Sequence, residues 1–218
     1  MSTISTTSKS VDWDELPNDK IAPSLHMTEE EFVAWATDEV RAEWVDGEVI
    51  LMPPISLMHN RRSIWLTTLL SQFVNRRQLG EILGPEFMIR LGSQRRRRVP
   101  DLMFVSTERQ GQIRPNHLEG APDLSMEIVS PESQSRDRRE KYLEYEKAGV
   151  REYWIVDPLS QTVEAYALGA TQSYTLIPES NGQIPSIVLP GFHLKPAWLW
   201  QEKMPDAIEL LRAMGIQF

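Results

Sequence analysis

The chain has 218 residues, 41% of them apolar and 25% charged, a balance typical of soluble globular proteins and long enough to bury a sizeable core. It holds no cysteine, which excludes disulfides, zinc–thiolate sites and thiol catalysis and suits a reducing cytoplasm. No apolar run nears the roughly 20 residues of a membrane span, and the N-terminus lacks a signal-peptide pattern, so a soluble, cytoplasmic protein is expected.

The formal net charge of −8 is unevenly spread: residues 1 to 48 carry 12 acidic and 3 basic side chains, whereas Arg61 to Lys141 carry 15 basic and 10 acidic. Overall acidity therefore does not exclude a nucleic-acid partner. The run Arg95-Arg96-Arg97-Arg98 could lead a phosphate backbone toward a nearby site, or it could be a solvated strand end or loop.

In chain order, residues 1 to 24 are Ser/Thr-rich and then acidic, which predicts a flexible arm ahead of one domain over 25–218. Thr28-Glu29-Glu30-Glu31 has the capping-box pattern of a short helix reaching Trp35. Glu43 to Ile50 predicts two strands around Asp46-Gly47, ended by Pro53 and Pro54. Ile64, Leu66, Leu69, Leu70 and Phe73 fall near helical spacing, so 58–77 reads as an amphipathic helix. Strands are expected over 82–91, 99–105 and 123–129, then a charged helix over 135–148 capped by Gly149, then a strand over 150–157. That strand–helix–strand succession implies a parallel pair. Shorter strands over 162–168, 173–177 and 185–189, expected to be antiparallel, and a closing helix over 204–214 complete the reading.

Two of these strands carry the chemistry. Val99 to Val105 and Leu124 to Val129 are apolar runs of the kind buried on both faces, and each contains one carboxylate, Asp101 and Glu127. Buried Asp and Glu are almost always paired, and two brought together must share a cation or hold a proton between them. A divalent metal bound by oxygen ligands is the simplest partner. No Gly-rich phosphate loop and no Gly-x-Ser-x-Gly elbow occurs, and His26, His117 and His193 have no metal-ligand spacing.

Glu43-Trp44-Val45-Asp46-Gly47-Glu48, His59, Pro100-Asp101, Glu127-Ile128-Val129-Ser130-Pro131, Asp137, Lys141, Tyr145 and Gly149 to Pro158 together resemble the Uma-type family of restriction-endonuclease-like proteins, within the PD-(D/E)xK nuclease superfamily. The resemblance runs from about residue 28 to about residue 200 and implies an α/β (α+β) fold, a mixed sheet flanked by helices with extra antiparallel strands. It also implies an endonuclease that hydrolyses DNA with Mg²⁺ or Mn²⁺, with Asp101 and Glu127 as metal ligands.

The orthodox motif places its lysine where this chain has Val129, and the family pattern implies that Lys141 on the following helix replaces it. The alternative for Lys141 is an i,i+4 ion pair with Asp137 on a solvated helix face. Glu43 matches an acid of the early element and His59 a histidine before the long helix. Their alternatives are an exposed hairpin edge and a helix-start residue bonded to backbone. Ser130 could touch phosphate, and Tyr145 and Trp154 read as core. Cutting both strands of a duplex would suit a homodimer. The competing reading is a catalytically inactive module on the same fold, its carboxylates paired with Arg, that binds nucleic acid or a protein.

Overall fold

The computed structural model describes residues 25–36, 40–131 and 133–218, and the arm expected over 1 to 24 lies outside them. The chain runs β1 (Leu25–His26), α1 (Glu29–Trp35), β2 (Ala42–Val45), β3 (Glu48–Leu51), α2 (Leu57–Arg77), β4 (Gly80–Leu83), β5 (Met88–Leu91), β6 (Arg96–Arg98), β7 (Leu102–Ser106), β8 (His117–Glu119) and β9 (Leu124–Ile128). A π-helical segment (Arg136–Lys141) then leads directly into α3 (Tyr142–Ala148), followed by β10 (Glu152–Asp157), β11 (Thr162–Leu168), β12 (Tyr174–Leu176), β13 (Ile184–Pro185), β14 (His193–Leu194) and α4 (Ala207–Ala213). No described helix is long and apolar enough to cross a membrane.

Among the described residues the strands form two six-stranded mixed sheets and a two-stranded ribbon, flanked by helices as expected. The first has the order β1-β3-β2-β6-β5-β8 and the second β12-β11-β10-β9-β7-β4. The expected parallel pair is β9 with β10, in register Glu127 opposite Ile155, while β7 and β11 flank that pair antiparallel.

Alternation along β9 assigns its two faces. Leu124, Met126 and Ile128 join Trp154 and Val156 in a core beneath α2 and the C-terminal segment, where Leu66, Leu69, Leu70 and Phe73 are buried. The opposite face of the second sheet carries Met103, Val105, Tyr153 and Ile155, packed against Tyr145 of α3 and against Ile89, Leu91 and Leu118 of the first sheet. Ser125 and Glu127 therefore point into a layer between the second sheet, α3 and the first sheet, a polar pair set in an apolar core.

Several expected boundaries move, each for a local reason. The strand read over 82–91 is two strands in different sheets, because Gly84-Pro85 breaks the run and Pro85 has no N–H to continue a ladder. The 99–105 strand starts at Leu102, since the Ile128 N–H is donated to the Asp101 carboxylate at 2.7 Å instead of to a backbone carbonyl. Residues 186–189 are a turn rather than a strand: the N–H groups of Ile187 and Val188 and the Ser186 hydroxyl all donate to the buried Glu152 carboxylate. The capping box at Thr28, the turn at Asp46-Gly47 and the left-handed cap at Gly149 (φ 84°) stand as expected.

Gly80, at the start of β4, sits at φ +149° against β7, and a Cβ added there would lie 2.1 Å from the Val105 carbonyl oxygen. Backbone cannot yield as a flexible side chain can, so Gly80→Ala is expected to cost about 2–4 kcal/mol in denaturant unfolding. Gly111 has open space around its Cβ position, and Gly111→Ala is expected to stay within about 0.5 kcal/mol of wild type.

Candidate active site

A cleft of about 660 Å³ opens where the loop into α2, the loop after β9 and the turn after β10 meet. His59, Asp101, Glu127, Ser130, Arg136, Asp137 and Lys141 are among its lining residues, and Glu43 is not. Asp101 is held at the edge of β7 by two contacts: Oδ2 accepts the Ile128 N–H at 2.7 Å, and Oδ1 lies 2.8 Å from Nε2 of His59. His59 owes its place to the start of α2, where Ser56 caps the helix by accepting the His59 N–H.

Beneath Asp101 lies a buried charge cluster built on Lys141. The ammonium Nζ is 3.0 Å from Glu127 Oε1, 3.0 Å from Glu43 Oε1 and 3.4 Å from Asp137 Oδ1, and the residue is only 2% exposed. Tyr145 donates its phenol proton to Glu127 Oε1 at 3.0 Å. Glu43 is in turn fixed by Arg98, 2.8 Å from its Oε2, and by the Val99 N–H, which donates to Oε1. Arg98 also donates to Glu144 on α3, so the first sheet is tied to the helix that carries Lys141.

The electrostatics follow from this packing. Burial opposes the Lys141 ammonium, but Glu127, Glu43 and Asp137 outweigh it and push its pKa well up, so the lysine stays cationic. Burial also opposes the Glu43 carboxylate, yet Lys141, Arg98 and the Val99 N–H hold it down to about 2. Burial, reinforced by Asp137, Asp101 and Glu43, raises Glu127 well above the usual carboxylate range despite Lys141. Glu43, Glu127 and Asp137 face Lys141, and Arg98 and Arg136 also act on Glu43, so acids and cations are interleaved at the cleft floor.

That cluster bears on a divalent metal. Among the described residues no group of three or more His, Cys, Asp or Glu side chains could hold an ion. Mg²⁺ needs fewer, since it takes one or two carboxylates and fills its other positions with water and substrate oxygens. Asp101 and Glu127 supply two hard-oxygen donors to one cleft, and Glu127 Oε2 has no hydrogen-bond partner among the described residues. The donor set fits such a cation.

The residues read from sequence are thus brought together: Asp101, Glu127, Lys141 and His59 share the cleft, and Glu43 stands behind Lys141 in contact with its ammonium. The arginine run is a correction. Arg96 pairs with Glu144, Arg97 with Glu29, and Arg98 with Glu43 and Glu144, so these three charges are spent within the fold rather than on a phosphate track, while Arg95 is exposed in a surface pair with Asp46. Tyr145, read as core, is core and also Glu127's hydrogen-bond donor. The signal for it was the i, i+4, i+8 spacing of Asp137, Lys141 and Tyr145, which places all three on one helix face.

A family model described as "Putative restriction endonuclease", Uma2, matches residues 29–197. Among solved structures, the chain is similar to one from Anabaena variabilis ATCC 29413 described as a "putative nuclease belonging to DUF820". That similarity has a TM-score of 0.67 at 22% identity and covers 80% of this chain and 97% of the other, which shows a shared fold. A comparison with curated proteins finds no match. With most of its length matched by the family model, the chain belongs to the Uma2 restriction-endonuclease-like family.

Proposed function

We propose that this protein is a divalent-metal-dependent endonuclease that hydrolyses phosphodiester bonds in DNA, with Asp101 and Glu127 as the residues that would hold Mg²⁺ or Mn²⁺. The observation that carries the reading is the Lys141 ammonium, 3.0 Å from Glu127 at the floor of the cleft that Asp101 also lines. The chemistry such a cation supplies when bound is polarisation of the phosphoryl group and neutralisation of the charge that develops on it.

The chain's own groups do the rest. Lys141 is a fixed donor aimed at the cleft floor, kept charged by its carboxylates, and it stabilises negative charge on the non-bridging oxygens as the attacking oxygen adds. Glu43 acts through Lys141 and is a positioning residue: it sets the ammonium's place from behind. His59 is anchored to Asp101 through Nε2, which leaves Nδ1 as the atom to take a proton from the attacking water or to give one to the leaving oxygen.

One observation favours a second reading: Glu127 Oε1 is already engaged by both Lys141 and Tyr145. An acid closed on itself in this way suits a non-catalytic nuclease-fold module that binds DNA.

Supercoiled plasmid incubated with Mg²⁺ or Mn²⁺ separates the two. Nicking by the wild-type protein that falls at least about a hundredfold in Glu127→Gln is the expected result. Salt-sensitive DNA binding without cutting would instead select the module. Lys141→Met is expected to lower the cleavage rate about 10²- to 10³-fold while calorimetric Mn²⁺ affinity is kept, because a transition-state donor is lost and no ligand is. Glu43→Gln tests the positioning role through pH. The folded-state pKa of Glu43 lies below its ordinary value of 4.5, at about 2, so its stabilisation is fully present above pH 4.5 and fades as pH falls toward 2. Denaturant titration should therefore find the variant about 3 kcal/mol less stable than wild type at pH 7, and the gap should narrow steadily below pH 4.5.

A further inference from the structure

The reactive groups lie deep while the rim above them is apolar. Lys141 and Glu127 are 2% and 3% exposed, at the floor of a cleft whose 660 Å³ falls within the range of small-ligand pockets. Pro53, Pro54 and Pro131 stand exposed at its edge, with Ile55 (41% exposed), Met58 (44%) and Leu159 (59%) beside them. Of the basic side chains that line it, Arg41 is paired with Glu86, and Arg62 is buried against the Leu199 and Met58 carbonyls. Arg136 has no ion-pair partner among the described residues and faces the cleft, and exposed Arg61 stands near the start of α2.

A B-form duplex does not suit this shape. It is stiff over distances far longer than the cleft, and proteins that grip it do so largely through polar and cationic contacts to its phosphates. To reach Lys141, a phosphate must descend below the rim. A paired strand can do this only by bending or unstacking the stiff duplex, whereas a strand with no complement needs neither. Apolar side chains such as Ile, Leu, Met and Pro are the kind that pack against bases once these leave the stack. Arg136 then meets the backbone charge at the cleft wall.

From the burial of Lys141 and Glu127 beneath a rim of Ile55, Met58 and Leu159, we infer that the substrate is a DNA strand unpaired at the scissile phosphate, as in a single strand, an overhang or a flap. This rests on the nuclease reading above and narrows its substrate class.

The test uses one end-labelled oligonucleotide presented three ways to the full-length protein with Mn²⁺: alone, as the flap strand of a branched duplex, and fully paired. The unpaired forms should be cut at least about tenfold faster than the paired one, with flap cuts falling in or at the base of the unpaired arm. The surface variant Ile55→Ser/Leu159→Ser, checked for an unchanged thermal midpoint, should raise KM for the unpaired strand about tenfold. Equal rates on paired and unpaired forms would overturn this inference and leave the nuclease reading standing. No cutting of any form would remove both. If Leu159→Asp breaks up a dimer of this chain without changing the rate on unpaired DNA, the rim is a subunit contact and the inference fails.

Discussion

The arrangement of this protein turns on a single ammonium group buried among carboxylates. Lys141 is sunk between three elements: Glu43 reaches it from β2, Glu127 from β9, and Asp137 from the π-helical segment that carries the lysine itself. A charge taken this far from water is tolerated only with close partners, and each carboxylate here is equally dependent on the lysine. The pairing therefore constrains the backbone as well as the side chains. The first sheet, the second sheet and the helix after β9 must all approach to within one ion pair of the same point.

Arginines behind the cluster hold that geometry. Arg98, fully buried at the end of β6, bridges Glu43 and Glu144, so β2 and α3 are linked on the side away from the cleft. Arg97 and Arg90 share Glu29 at the start of α1, which fastens the N-terminal helix to the same sheet. Further along, Arg138 binds both Asp157, at the end of β10, and Glu164 on β11, anchoring the first part of the helical segment to the second sheet. Removing one member of such a chain leaves a neighbour buried and unpaired, so the network should behave as a unit.

Much of this was legible from sequence, for identifiable reasons. Elements whose signals are local were placed well: the Thr28 capping box, the Asp46-Gly47 turn, the long apolar stripe of α2 and the Gly149 cap each need only their own neighbours. The juxtaposition of Asp101 and Glu127 could be expected because a lone carboxylate in an apolar strand is costly enough to demand a partner. What stayed hidden depends on distant residues. The four-arginine run looks like a surface track because nothing nearby in sequence neutralises it. Its partners Glu29, Glu43 and Glu144 lie about 45 to 70 positions away and meet it only when the sheets form. The turn at 186–189 is hidden in the same way, since its backbone donors are satisfied by Glu152, a strand residue about 35 positions earlier.

With Arg96 to Arg98 committed to pairs within the fold and Arg95 in a surface pair with Asp46, a polyanion gains little from the arginine run. What remains at the cleft is Arg136 on the wall, Arg62 buried in the lining and Lys141 on the floor, against Asp101, Glu127 and Asp137. Lys141 is already held by Glu43, Glu127 and Asp137, so on the proposed reading a divalent cation on Asp101 and Glu127 would supply the further positive charge that a phosphate needs there. Substrate binding and metal binding would then be thermodynamically coupled, each favouring the other by the same factor. On this reading the site is electrostatically incomplete by itself, and the three carboxylates that engage Lys141 make productive binding of a phosphate depend on the metal.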